Sequence, residues 1–158
     1  MTKVLLKNIV SNNLIAIFTH ISVCFILWIP TAFIWRYSVW GYGMSQGAIR
    51  INFILVGIFI SITFILCFWL GRKRLLNTGK TFANIVSVAM VPIIVSLVIF
   101  ASYSRPSYFD IFVALLIASI HPISETLSFY FNLERASGYA IMSVLPSIAM
   151  WLGLMTKP

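Results

Sequence analysis

Acidic residues are almost missing from this chain: Asp110, Glu125 and Glu134 are its three, against eleven Lys and Arg. So thin a supply excludes most carboxylate chemistry. Asp110 and Glu125 are 15 residues apart on one expected helix, roughly 22 Å along its axis, too far to act on one bond. Charge of either sign is scarce, at 9% of residues against 61% hydrophobic, where a soluble surface is normally about a quarter charged. Cysteine is limited to Cys24 and Cys67, both inside apolar runs. That indicates no extracytoplasmic disulfide framework, and two buried thiols ordinarily act as small apolar fillers. No Gly-rich phosphate loop, Ser nucleophile elbow, His-Glu-x-x-His or Cys-x-x-Cys is present, and no cofactor is expected. Residue 2 is Thr and neither cysteine lies near a terminus, which excludes myristoylation and prenylation.

Long apolar runs fill the space that charge leaves, and the mean hydropathy is +1.02. The sequence predicts an all-α, polytopic integral membrane protein with five transmembrane helices in a single domain, residues 1–158: Leu14 to Trp35, Ile51 to Leu70, Phe82 to Ser102, Tyr108 to Phe131 and Gly138 to Met155. At 1.5 Å per residue each covers about 27 to 36 Å, enough for a hydrocarbon core of about 30 Å. The fifth is short and carries Pro146; four spans plus an interfacial segment is the alternative. The first run exceeds a signal-peptide core and no small-x-small site precedes its end, so it is expected to be retained. Residues 2 to 10 alternate Lys3, Lys7 and Asn8 with Val4, Leu5, Leu6, Ile9 and Val10, the pattern of a short interfacial helix.

Cations set the expected orientation, because Lys and Arg resist translocation. Alternating spans put Lys3, Lys7, Arg72, Lys73, Arg74, Lys80 and Arg135 on one side and Arg36, Arg50, Arg105 and Lys157 on the other. The larger group is expected inside, with the N-terminus. Trp35, Tyr37, Trp40, Tyr42, Tyr103 and Tyr108 then fall at outer headgroup depth, and Trp69, Tyr130 and Tyr139 at inner ends. A positive balance on so apolar a chain points to anionic lipid headgroups, which Arg72, Lys73 and Arg74 are placed to meet; nucleic acid is not an expected partner. Short loops and overall brevity suggest a bacterial plasma membrane.

One intramembrane cluster stands out. Glu125 inside an apolar helix costs about 2.5 kcal/mol or more unless neutral, paired or hydrated, and His121 sits one turn earlier on the same face. Pro122 between them predicts a kink with exposed backbone, of the kind that accompanies ion or ligand paths. His20 and Cys24 form a second i, i+4 pair on helix one, and Cys67 lies near the inner end of helix two. Converged, these groups would suit a proton relay or a soft divalent metal held with the thiols. The ordinary alternative is a packing hydrogen bond between helices and a satisfied interior histidine. Prolines 30, 92, 122 and 146 predict static kinks.

Two stretches carry a family resemblance. Leu70-Gly71-Arg72 through Thr78-Gly79-Lys80-Thr81-Phe82, followed by an apolar helix with Pro92, resembles the Yip1-type membrane families, in which a short Gly-containing loop with a downstream Phe introduces the third helix. Glu134-Arg135-Ala136-Ser137 leading into Ala140 to Pro146 is similar to the start of their last helix. The paired glycines usual before the loop's Phe are replaced here by Asn77, Thr78 and Gly79, and the aromatic-proline start of helix one is absent. The resemblance implies a non-enzymatic membrane protein that acts through partners, with no catalytic residues to carry over.

The function expected is therefore that of an accessory, assembly or protective subunit, binding a membrane-protein partner or a second copy of itself through helix faces such as Ala114 to Ala118 to Pro122. The alternative is a small transporter or channel component moving protons, metal ions or a small substrate past His20, His121 and Glu125. A third reading, a lipid-modifying enzyme with His121 as base, requires an inner-leaflet cavity that reaches His121.

Overall fold

A computed structural model describes residues 3–37, 46–103, 116, 117, 120, 131 and 134–157 of the chain. Most of these residues are helical and none is in a strand: α1 Lys3–Tyr37, α2 Gln46–Arg74, α3 Thr81–Val86, α4 Met90–Tyr103, α5 Arg135–Met142 and α6 Val144–Met155. Among the described residues, three stretches are long and apolar enough to cross a bilayer, Lys3–Pro30, Thr81–Ala101 and Ser137–Met155. The second expected run lies within α2. The fourth falls largely outside the described residues.

The helices begin earlier than the apolar runs. α1 is continuous from Lys3, so residues 3–10, expected as a separate interfacial helix, are its first turns. Backbone hydrogen bonding carries the helix through Ser11-Asn12-Asn13 because both asparagines have partners elsewhere in the bundle. α2 likewise extends over Gln46–Arg74, beyond Ile51–Leu70 at both ends.

Two of the prolines account for breaks. Pro92 has no N–H for the Val88 carbonyl, and one turn before it the ladder tightens: Val88 N donates to Ile85 O at 3.1 Å and Ala89 N to Val86 O at 3.3 Å. The third span is thereby divided into α3 and α4. Pro146 stands in the same relation to the turn at Ser143 that separates α5 from α6. Pro30 lies within α1 without interrupting it.

α6 packs along α2 by close backbone approach. A Cβ added to Gly71 would stand 2.5 Å from the Met150 carbonyl oxygen and 2.7 Å from its Cα, and one added to Gly153 would collide with the Phe68 carbonyl and the Arg72 amide. Small residues at a crossing let two backbones meet where lipid supplies no hydrophobic drive. Ala149, Met150, Leu154 and Cys67 fill the core beside the contact.

The direction of α6 corrects the expected path. Gly71 meets Met150 and, further along both helices, Lys157 Nζ donates to the Leu75 carbonyl; residue numbers rise together, so α2 and α6 are parallel. Alternation over five spans would make them antiparallel. Ser147 against Val88 and Met155 against Asn84 set α6 antiparallel to α3 and α4. By helical rise, Tyr103 and Arg135 then both lie about 20 Å beyond the Val88–Ser147 level, at the far end of the bundle. Lys157 therefore joins Arg72, Lys73 and Arg74 at one end, and Arg135 begins α5 at the other, the reverse of the expected assignment. Counting cations could not detect this, because exchanging one for the other leaves the totals unchanged. Tyr139, expected at inner headgroup depth, is buried in the core on α5.

Two outcomes are expected. In sealed vesicles, Lys80→Cys and Thr156→Cys, both at exposed positions, react with an impermeant thiol reagent from the same side; labelling from opposite sides would contradict the parallel pairing. Gly71→Ala lowers the unfolding free energy by about 2 kcal/mol through overpacking, whereas Gly57→Ala, with nothing within 4 Å of the added Cβ, leaves it unchanged; denaturant titration in detergent reads both.

Candidate functional site

The polar interior divides into two nodes, both built where a helix ladder is broken. At the first, Asn13 is spliced into the gap between α3 and α4. Its Nδ2 donates to the Val86 carbonyl at 2.9 Å and its Oδ1 accepts from Met90 N at 3.1 Å, the two backbone groups that a regular helix would pair with each other. Nδ2 also reaches Ile9 O on its own helix at 3.0 Å. The Val88 carbonyl left open by Pro92 accepts from Ser147 Oγ at 3.0 Å. One break is thus closed from α1 and α6 together.

Asn12 works in the same way one residue earlier. Its Nδ2 donates to Leu76 O at 2.8 Å and to Ser87 Oγ at 3.3 Å, and its Oδ1 accepts from Leu76 N at 2.8 Å. A side-chain amide carries a donor and an acceptor in the geometry of a peptide group, so it can satisfy both backbone groups of Leu76. Asn84 extends the network into the connection before α3: Oδ1 accepts from Thr78 N at 3.0 Å and Thr78 Oγ1 at 2.7 Å, while Nδ2 donates to Asn77 Oδ1 at 3.0 Å. Asn77 Oδ1 in turn accepts from Gly79 N at 2.9 Å. Gly79 holds φ +72°, a left-handed turn that glycine occupies without a Cβ penalty.

The second node contains the expected His20–Cys24 pair. His20 Nε2 lies 2.9 Å from the Leu116 carbonyl oxygen and Cys24 Sγ 3.1 Å from the same atom. Since a carbonyl only accepts, both act as donors there, with the imidazole protonated on Nε2 and the thiol intact. Leu116 O is free to accept because Ile120 N turns to Ile117 O at 2.8 Å, three residues back instead of four. Cys24 Sγ is also 3.5 Å from His20 Nε2. Burial is complete enough to exclude water: His20 and Cys24 are each 1% exposed.

The other expected site residues fare differently. Cys67 is buried in the core as a filler. His121 and Glu125 lie outside the described residues, as do Ala114, Ala118 and Pro122. Among the described residues no three His, Cys, Asp or Glu side chains come together as metal ligands. Arg72, Lys73 and Arg74 are exposed in the last turn of α2, with Lys73 Nζ 4.7 Å from the centroid of the Trp69 ring. A cation over an indole at the end of an apolar helix is the arrangement of an interfacial anchor. Comparison with protein-family models, with curated proteins and with solved structures found no match to this chain.

Asn12, Asn13, Asn84, Ser87 and Ser147 were not singled out by the sequence reading. The signal available was the Asn-Asn pair between apolar residues of one continuous amphiphilic run, together with Ser147 next to Pro146. The partners of Asn12 and Ser147, and the Val86 and Met90 partners of Asn13, stand 59 to 77 residues away.

Replacing Asn13 by Leu is expected to cost about 2 kcal/mol, because the Val86 and Met90 backbone groups lose their side-chain partner away from water. Ser22→Ala, which removes only an exposed bond from Ser22 Oγ to Phe18 O, serves as the control in the same titration. Both cysteines are expected to resist maleimide until the protein is denatured; labelling of native protein would contradict their burial.

Proposed function

We propose that this chain is a non-enzymatic, multi-pass protein of a plasma membrane that acts as an accessory, assembly or protective subunit, recognising a second membrane protein through a helix face. The observation that carries this reading is how the buried polar side chains are used. Asn12, Asn13, Ser147 and His20 bind backbone groups on other helices or segments. Buried polar groups that complete a neighbour's backbone favour a rigid scaffold over a relay, since a relay needs side chains that exchange protons or release ligands. The transporter alternative runs its path past His20, whose Nε2 proton is already donated to Leu116 O.

The face we assign to the partner is on α2. Ile54, Gly57, Ile58, Ser61, Ile62 and Ile65 are exposed, and Ser61 Oγ turns back to Gly57 O at 2.9 Å, leaving a shallow seam between isoleucines. Gly57-x-x-x-Ser61 is a small-residue spacing that permits close helix approach. Gly71 and Gly153, by contrast, are already occupied within the protomer. The Yip1-type resemblance of the sequence supports the same non-enzymatic role.

Orientation follows from the basic end. Lys3, Lys7, Arg72, Lys73, Arg74, Lys80 and Lys157 share it, seven of the eleven Lys and Arg, and the tendency of cations to stay untranslocated places it in the cytoplasm. α1 then runs outward, α2 inward, α3 with α4 outward and α5 with α6 inward, the chain leaving α4 and joining α5 on the outer side.

Gly57→Leu is the decisive variant. Crosslinking in native membranes is expected to capture a partner with the wild type and lose it with Gly57→Leu, at an unchanged unfolding midpoint. Proteoliposomes of the purified chain are expected to pass neither protons nor cations under an imposed gradient. Flux that disappears on His20→Leu would overturn the reading in favour of transport.

A further inference from the structure

The outward face of α1 at the basic end is shaped and charged for a ligand. Lys3, Leu6, Lys7, Val10, Ser11 and Leu14 border one open, shallow face of the helix. Their spacing of three and four residues puts them on one stripe of the helix, cationic at its start and apolar further along. Asn12 fixes the height of the stripe, because its amide is bonded to both backbone groups of Leu76. Nine residues at 1.5 Å per residue carry Lys3 about 13 Å beyond that level. The lysines therefore stand in or outside the headgroup layer, while Val10 and Leu14 reach toward the hydrocarbon.

The cations of this end are not equivalent. Lys157 is engaged by the Leu75 carbonyl and Lys73 lies over Trp69, whereas neither Lys3 nor Lys7 bonds to another described residue. No acid lies at this end among the described residues; Glu134 precedes α5 at the other. Two free ammonium groups one turn apart, above exposed Leu6, Val10 and Leu14, are complementary to one class of molecule: an anionic head joined to an acyl chain.

We infer that this face binds an anionic phospholipid of the cytoplasmic leaflet, with Lys3 and Lys7 holding the phosphate and Leu6, Val10 and Leu14 receiving an acyl chain. The site is separate from the Arg72–Arg74 anchor and from the α2 partner face; it rests on the proposed orientation for its leaflet, but not on the partner-binding role. Each lysine near a membrane surface is worth about a fivefold change in binding to anionic lipid.

The test is lipid binding to the purified full chain in neutral detergent, read by native mass spectrometry during titration with phosphatidylglycerol or with phosphatidylcholine of the same acyl chains. Wild type is expected to bind phosphatidylglycerol more tightly, and Lys3→Gln with Lys7→Gln to weaken it about thirtyfold while leaving phosphatidylcholine unchanged. Leu6→Ser with Val10→Ser is expected to weaken both lipids. Equal affinity of wild type for the two lipids would overturn the inference. So would full retention by the double lysine variant, or loss confined to a variant with Arg72, Lys73 and Arg74 all changed to Gln. All seven substituted positions are exposed and outside the core, and an unchanged unfolding midpoint verifies that the variants are folded.

Discussion

A backbone group without a partner is costly away from water, and this constraint organises the described part of the molecule. At two places where the helix ladder opens, side chains from other elements close it. Asn13 and Ser147 close the break before Pro92, and His20 with Cys24 takes the carbonyl released at Leu116. The same bonds that satisfy the breaks set the register between helices. Packing then follows: with α1 and α6 held against the Val86–Met90 turn, Val91, Val95 and Ile99 on α4 are buried in the shared core.

Glycine divides between two uses. Gly71 and Gly153 let α2 and α6 approach until no side chain fits between them, which brings Lys157 and the Arg72–Arg74 turn to one end. Gly57 lies on the same helix as Gly71 but faces outward. One helix thus offers a small-residue contact to its own protomer near the basic end and another to the surroundings in its middle. A subunit that works by helix recognition needs this separation, because a face consumed in folding is not available for a partner.

Much of this architecture was legible in the sequence. The apolar runs predicted helices, three stretches of which, among the described residues, are long and apolar enough to cross a membrane; of the prolines expected to kink them, Pro92 and Pro146 accompany breaks whereas Pro30 leaves α1 continuous. The His20–Cys24 spacing correctly put the two side chains together. What they bind was invisible, because the acceptor is a main-chain carbonyl and every residue has one. Asn12 and Asn13 fall between the expected interfacial segment and the first apolar run and drew no assignment, since local pattern cannot show partners as distant as Leu76, Val86 and Met90. The direction of α6 escaped as well: Arg135 and Lys157 carry the same charge, and only a packed interface such as Gly71 on Met150 tells which belongs to which end. The Glu125–His121 pair, the most prominent polar feature of the sequence, lies outside the described residues.

The splice at Asn13 links two motions that are separate in an ordinary bundle. In an unbroken helix the amide at position 90 would open when its own helix frays. Here its acceptor belongs to α1, so the Met90 N–H becomes available for exchange only when α1 draws back or its amide turns away. The bend between α3 and α4 and the docking of α1 are consequently a single degree of freedom, and the amide exchange of one residue reports on the seating of a helix 77 positions distant in the chain.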